Sequence, residues 1–186
     1  MPDENLCPNL GLLLGGSTAV AALSIASLNG RAALASTLLG ALMIAGAEID
    51  ARTFLLPDVV TGGTFIAGAL AAVLLNSYDP IAALAMAVLR GIGTAALLLM
   101  MRWCYARLRN REGLGLGDVK LAAGIGVWLP IDAIPVCFAL AAGSALVLVL
   151  LAHRLGRPMD ATTKLPFGAF LCPALWLVFY VNLWGS

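Results

Sequence analysis

Seven runs of apolar residues follow one another through this chain with little between them: Leu10–Leu28, Ala32–Ile49, Val59–Leu75, Pro80–Met101, Val119–Leu129, Ala133–Ala152 and Leu165–Trp184. Six reach the roughly 17–25 residues that cross a bilayer as an α-helix, and the fifth holds only 11. Composition points the same way. Hydrophobic residues make up 61% and charged residues 11% of 186, with a mean hydropathy of +0.97, against about 45–50% and 25% in soluble domains. A soluble globular fold is excluded. The expectation is an all-α, polytopic transmembrane helix bundle of six to seven spans, a single membrane-embedded domain over residues 1–186 with no room for an extramembrane one. Asn29-Gly30, Leu56-Pro57-Asp58, Asp79-Pro80, Gly113 to Gly117, Pro130 and Gly156 to Pro158 punctuate the runs. Met1 to Asn9 carries Asp3 and Glu4 and no basic residue, unlike the positive n-region of a cleaved signal peptide, so the first run is expected to remain as a helix.

The fifth run covers about 17 Å of a hydrocarbon core of roughly 30 Å, so it spans with help from its flanks or is re-entrant. Charge placement favours seven spans. With a cytoplasmic N-terminus, the inner loops hold Arg52, then Arg102, Arg107, Arg109, Arg111 and Lys120, then Arg154, Arg157 and Lys164, nine of eleven basic residues, with Arg31 outside and Arg90 mid-helix. A re-entrant fifth run would put Arg154, Arg157 and Lys164 outside. Arg102-Trp103-Cys104-Tyr105-Ala106-Arg107 mixes rings and cations as an interfacial anchor does. Arg90, inside an apolar run, must face a structural partner, a substrate or, by snorkelling, the interface.

A net charge of +1 argues against nucleic acid as a partner. Cys7, Cys104, Cys137 and Cys172 form no CxxC pair, so no metal site is expected, and Cys104, Cys137 and Cys172 read as small core hydrophobes. No internal repeat suggests an inverted-repeat transporter.

Acids near membrane depth need a reason, because each costs about 2.5–3.5 kcal/mol at a helix centre. Asp79 and Asp132, beside Pro80 and Pro130, suit solvated outer turns. Glu48, Asp50, Asp58 and Asp118 all fall at the cytoplasmic level. If the second and fifth helices are neighbours, carboxylates 68 positions apart meet there. Two carboxylates within a few ångströms share a proton, so one can activate water while the other protonates a carbonyl. Before Asp118, Gly113, Gly115 and Gly117 on alternate positions permit close backbone approach, positive φ and a strand-like surface for a peptide. Plainer readings stand beside this one: Asp118 as the N-cap of the fifth helix, Asp50 as an interfacial charge paired with Arg52, and Asp58 as the N-cap of the third helix.

Asp50-Ala-Arg-Thr-Phe-Leu-Leu-Pro57-Asp58 resembles the first signature of the prepilin peptidases, or type IV leader peptidases, and Gly115-Leu116-Gly117-Asp118-Val119-Lys120-Leu121 is similar to their GxGD signature. Lys164-Leu165-Pro166-Phe167-Gly168 resembles a third element, usually Pro-Phe/Tyr-Gly-Pro, with Ala169 in place of the last proline. The resemblance covers most of residues 32–184 and leaves Leu10–Leu28 as an extra span with a packing role. It implies an aspartic endopeptidase of the bacterial inner membrane, with Asp50 and Asp118 catalytic at the cytoplasmic face and prepilin or pseudopilin proteins of type IV pilus or secretion systems as partners. Pro57, Asp58, Gly115, Gly117, Lys120, Pro166 and Gly168 are its candidate substrate-binding or supporting residues. Lys120 could bias Asp118 toward its charged form, hold a substrate carboxylate or anchor the helix at the inner face. Larger members carry an insert with paired CxxC motifs linked to N-methylation. Nothing like it occurs within this sequence, so the resemblance implies no cofactor, neither S-adenosylmethionine nor zinc. A proton-coupled transporter using the same acids, or a non-catalytic scaffold of a pilus or secretion machine, are the rivals, and the oligomeric state is open.

Overall fold

The computed structural model describes residues 9–109, 115–155 and 165–184. Asp3, Glu4, Cys7, Arg111, Gly113, Arg157 and Lys164 therefore lie outside the described residues. Seven helices form: α1 (Leu10–Ser27), α2 (Gly30–Thr53), α3 (Asp58–Leu75), α4 (Pro80–Arg109), α5 (Leu116–Trp128), α6 (Ala133–Arg154) and α7 (Phe167–Trp184). All but α5 are long and apolar enough to cross a membrane.

Contacts at the helix ends show that the chain reverses direction from α1 to α2 and again from α2 to α3. The amide of Asn9, before α1, donates to Glu48 Oε2 near the end of α2. At the opposite end Ser27 meets the Tyr180 hydroxyl at 2.7 Å, and Arg31 donates to Ser77 Oγ after α3. α1 joins α2 and α7 through a buried hydroxyl chain, Ser24 to Ser36 at 2.9 Å and the Trp176 indole to Ser36 at 3.2 Å.

The short α5 is the centre of the bundle, packed between α3 and α4 and touching α7. Beyond Lys120 it is apolar on every side, as an enclosed segment must be: Leu121, Ala122 and Ile125 have no exposed surface. Glycines bring its neighbours close, as small residues do between helices in membranes. A Cβ on Gly124 would lie 2.8 Å from the Thr64 methyl of α3, and one on Gly91 of α4 would lie 2.8 Å from the Ala123 carbonyl oxygen. The Trp128 indole closes the far end, donating to the Thr64 carbonyl at 2.8 Å and meeting Phe179 of α7 edge-on at 4.8 Å.

Thirteen residues cover about 20 Å, so α5 stops short of a full crossing. Its last carbonyls need a donor, and Arg90 supplies one. Nε donates to the Gly126 and Leu129 carbonyls at 3.3 and 3.1 Å, placing a cation at the negative end of the helix dipole. The structural partner of Arg90 is thus a helix terminus rather than an acid. Arg107 lies over the Trp103 ring at 4.7 Å, consistent with the interfacial anchor.

Two expectations are corrected. Cys137 and Cys172 are core residues, but Cys104 is exposed on the extension of α4 beyond its apolar run. Asp58 is not the N-cap of α3. Pro57 holds that position, no side chain caps the helix, and the Asp58 carboxylate turns to Lys120.

Replacing Arg90 with Met keeps the aliphatic stem and removes the donor. It should cost about 1.5–3 kcal/mol in denaturation of the detergent-solubilised protein, whereas an unchanged midpoint would contradict the capping role.

Candidate active site

Three helix termini converge at one end of the bundle: the last turn of α2 and the first turns of α5 and α7. α2 buries Ser36, Leu39, Gly40, Met43, Gly46, Ile49 and Asp50, an inward stripe at three- and four-residue spacing that carries Asp50 into the core. Asp50 is 5% exposed. Arg52 pairs with Glu48, one turn back on α2, so the interfacial Asp50–Arg52 pair is not formed. α2 ends at Phe54, which takes the left-handed conformation with φ 55° and returns its amide to the Asp50 carbonyl.

The Asp50 carboxylate faces the start of α7. Its Oδ2 accepts from the Ala169 amide at 2.8 Å, and Gly168, the residue before it, lies close against the same carboxylate. These are the second and third residues of α7, whose amides an N-cap side chain would otherwise satisfy. Pro166, just before the helix, offers no such side chain, and an acid from α2 takes its place. Gly168 makes room for it, because a Cβ there would lie 2.8 Å from Oδ2 and 2.9 Å from Cγ.

Asp118 enters from α5. It is the third helical residue rather than the N-cap, a position held by Gly115. Its carboxylate takes a hydrogen bond from the Gly115 amide, the reach-back of a capping box. Asp118 is half-buried and near enough to Asp50 for the two carboxyl groups to act on each other electrostatically. The α2–α3 turn seats both helices: a Cβ on Gly117 would lie 3.0 Å from Leu56 Cβ, and one on Gly46 would lie 3.6 Å from Leu56 Cδ1, 3.0 Å from Val60 and 3.1 Å from the Cys172 sulfur. Close approach is therefore the role of Gly117. Gly115 has φ −67°, within reach of any residue, and the chain is helical from Leu116, so among the described residues of this stretch, from Gly115 onward, neither positive φ nor a strand-like peptide platform occurs.

Lys120 and Asp58 pair across the starts of α5 and α3, on an exposed rim beside the two acids. Pro57 and Pro166 precede α3 and α7 and fix their entry. Sequence reasoning missed Gly168 as the space for a carboxylate, the Ala169 amide, and the buried Leu56 that seats Gly117. The only advance signal was the adjacency of Leu56 and Gly168 to recognisable prolines. Among the described residues no group of three His, Cys, Asp or Glu side chains could hold a metal ion.

Residues 37–151, which include Asp50, Asp58, Asp118 and Lys120, match the model of the type IV leader peptidase family. The chain belongs to this family. Similar proteins include a prepilin leader peptidase/N-methyltransferase of Burkholderia pseudomallei, 36% identical over 159 residues. Others of the same name come from Dickeya chrysanthemi, 34% over 157 residues, and Aeromonas salmonicida, 33% over 159 residues. The alignments cover 86%, 84% and 82% of this chain and 50%, 54% and 50% of those relatives, so the chain spans about half their length. No solved structure gives a significant match. The third element at Pro166–Gly168 lies beyond the matched residues, yet the amide that follows it, of Ala169, is the one that holds Asp50.

Placing a methyl group at Gly168 should therefore displace a buried carboxylate. Gly168→Ala is expected to lose about 1–3 kcal/mol of stability, whereas Gly143→Ala, where a Cβ meets nothing within 4 Å, should be neutral or up to about 1 kcal/mol more stable. Equal denaturation midpoints for the two variants would contradict this packing.

Proposed function

We propose that this type IV leader peptidase family member is an aspartic endopeptidase, removing the leader from a prepilin-like or pseudopilin substrate with Asp50 and Asp118 as its dyad. The observation that carries the proposal is that Asp50 and Asp118, 68 residues apart, come from helix ends that close on the same Leu56, near enough for one carboxyl group to act on the other.

The chemistry follows from the pair. With one carboxyl ionised and one protonated, the ionised group takes a proton from a water molecule as its oxygen attacks the scissile carbonyl. The protonated group gives its proton to the carbonyl oxygen, forming a tetrahedral intermediate. Collapse then breaks the C–N bond, and the amide nitrogen leaves with a proton from the group that first took one. Each group finishes as it began once the second proton passes back. Asp50 is held by the Ala169 amide and only 5% exposed, while Asp118 is the more accessible arm. A substrate therefore approaches from the Asp118 side.

The site lies at the cytoplasmic membrane face in this proposal. Arg52, Arg102, Arg107, Lys120 and Arg154 belong to the dyad end of the bundle and Arg31 to the other, the asymmetry expected of an inner face. An apolar substrate helix can lie in the bilayer while its cytoplasmic end reaches the acids, with water available at the interface. The position of both acids at helix ends, rather than at the midplane, favours hydrolysis over proton-coupled transport.

Asp50→Asn and Asp118→Asn should each lower leader removal from a co-expressed small pilin by at least about a hundredfold, with folded protein retained, since asparagine still accepts the capping hydrogen bonds. The N-terminal mass of the pilin gives the result. A mature terminus produced by either variant at the wild-type rate would refute the mechanism.

A further inference from the structure

We propose that the backbone amide of Ala169 is a positioning group for Asp50, and that the residue type at 169 sets how far toward acid pH the enzyme works. This inference rests on the peptidase reading above. The Ala169 amide donates to Asp50 Oδ2 at 2.8 Å in a setting where the acid is 5% exposed, leaving little room for water to replace it. An N–H aimed at a carboxylate favours its charged form. Any residue except proline can supply that donor.

The segment from Pro166 resembles a pattern that ends in proline at this fourth position, where this chain has Ala169. A proline at 169 would present a ring carbon to Oδ2 in place of a hydrogen. The departure from the pattern thus adds a hydrogen bond to one of the two acids. Position 169 is the third residue of α7, in the first turn, where amides have no intrahelical partner and proline is tolerated.

Among the described residues, the ionisable groups around Asp50 are Asp118 from α5, Cys172 from α7, the Glu48–Arg52 pair on α2 itself and the exposed Asp58–Lys120 pair linking α3 to α5. Substitution at 169 alters none of them, so a change in pH dependence would report on the amide.

The test compares pH profiles of pilin cleavage by the full-length wild-type protein, Ala169→Pro and Ala169→Ser in membranes. Ala169→Pro should move the acid limb of kcat to higher pH by about one unit, the size expected for one hydrogen bond to a charged group, with KM unchanged. Ala169→Ser keeps the N–H and should retain the wild-type profile. If Ala169→Pro is poorly recovered, Gly168→Ala, whose Cβ would meet Oδ2 at 2.8 Å, should displace the limb in the same direction. Superposable profiles, or a serine variant that shifts like the proline one, would overturn the inference. Cleavage that survives Asp50→Asn would instead overturn the peptidase mechanism, whatever the shape of the profiles.

Discussion

In hydrocarbon, every backbone amide and carbonyl must find its partner inside the protein, and helix ends are where partners run out. The architecture of this bundle follows from how those ends are closed. Arg90 closes the carbonyl end of the short α5, and Asp50 closes the amide end of α7. Both charges sit at the helix pole of opposite sign, where the dipole favours them. A cation and an acid at membrane depth, costly alone, are held by unpaired backbone groups that would be costly alone as well.

That constraint also accounts for the candidate site. A carboxylate drawn in to cap α7 becomes buried and fixed. Asp118, at the start of α5, meets it because Gly117 lets that helix close onto Leu56 of the α2–α3 turn. Structural and chemical roles thus coincide in Asp50. Its burial serves the fold of α7, and its proximity to Asp118 serves the proposed hydrolysis. The family match shares this logic, since the two acids fall inside the matched residues while the cap donor comes from a helix beyond them.

Much of the fold was legible because hydrophobicity is decided locally. The runs located all seven helices, and the 11-residue fifth run became the one helix too short to cross. Where helix and bilayer part company, the runs misled: α4 continues eight residues beyond Met101 to Arg109, carrying Cys104 into an exposed position. Asp50 and Asp118 could be singled out because a membrane chain has few acids. Their surroundings could not. The Ala169 amide reaches Asp50 across 119 positions, and backbone donors leave no trace in residue type. Asp58 resembled an N-cap by its place before a helix, but the partner that won it, Lys120, is 62 positions away. The alternate glycines suggested unusual dihedrals when Gly117 is needed for closeness instead.

The ends of α2, α5 and α7 converge so that Asp50 and Asp118 lie within electrostatic reach of each other. Thiol cross-linking in native membranes tests this convergence most directly, using Asp50→Cys together with Asp118→Cys in a chain whose own cysteines are replaced by alanine. Rapid joining of the two positions by a short bifunctional reagent is expected, and none when Asp79→Cys, at the opposite end of the bundle, replaces Asp118→Cys as the partner. Joining of the Asp50 position to the Asp79 position, or its failure to join the Asp118 position, would contradict the account.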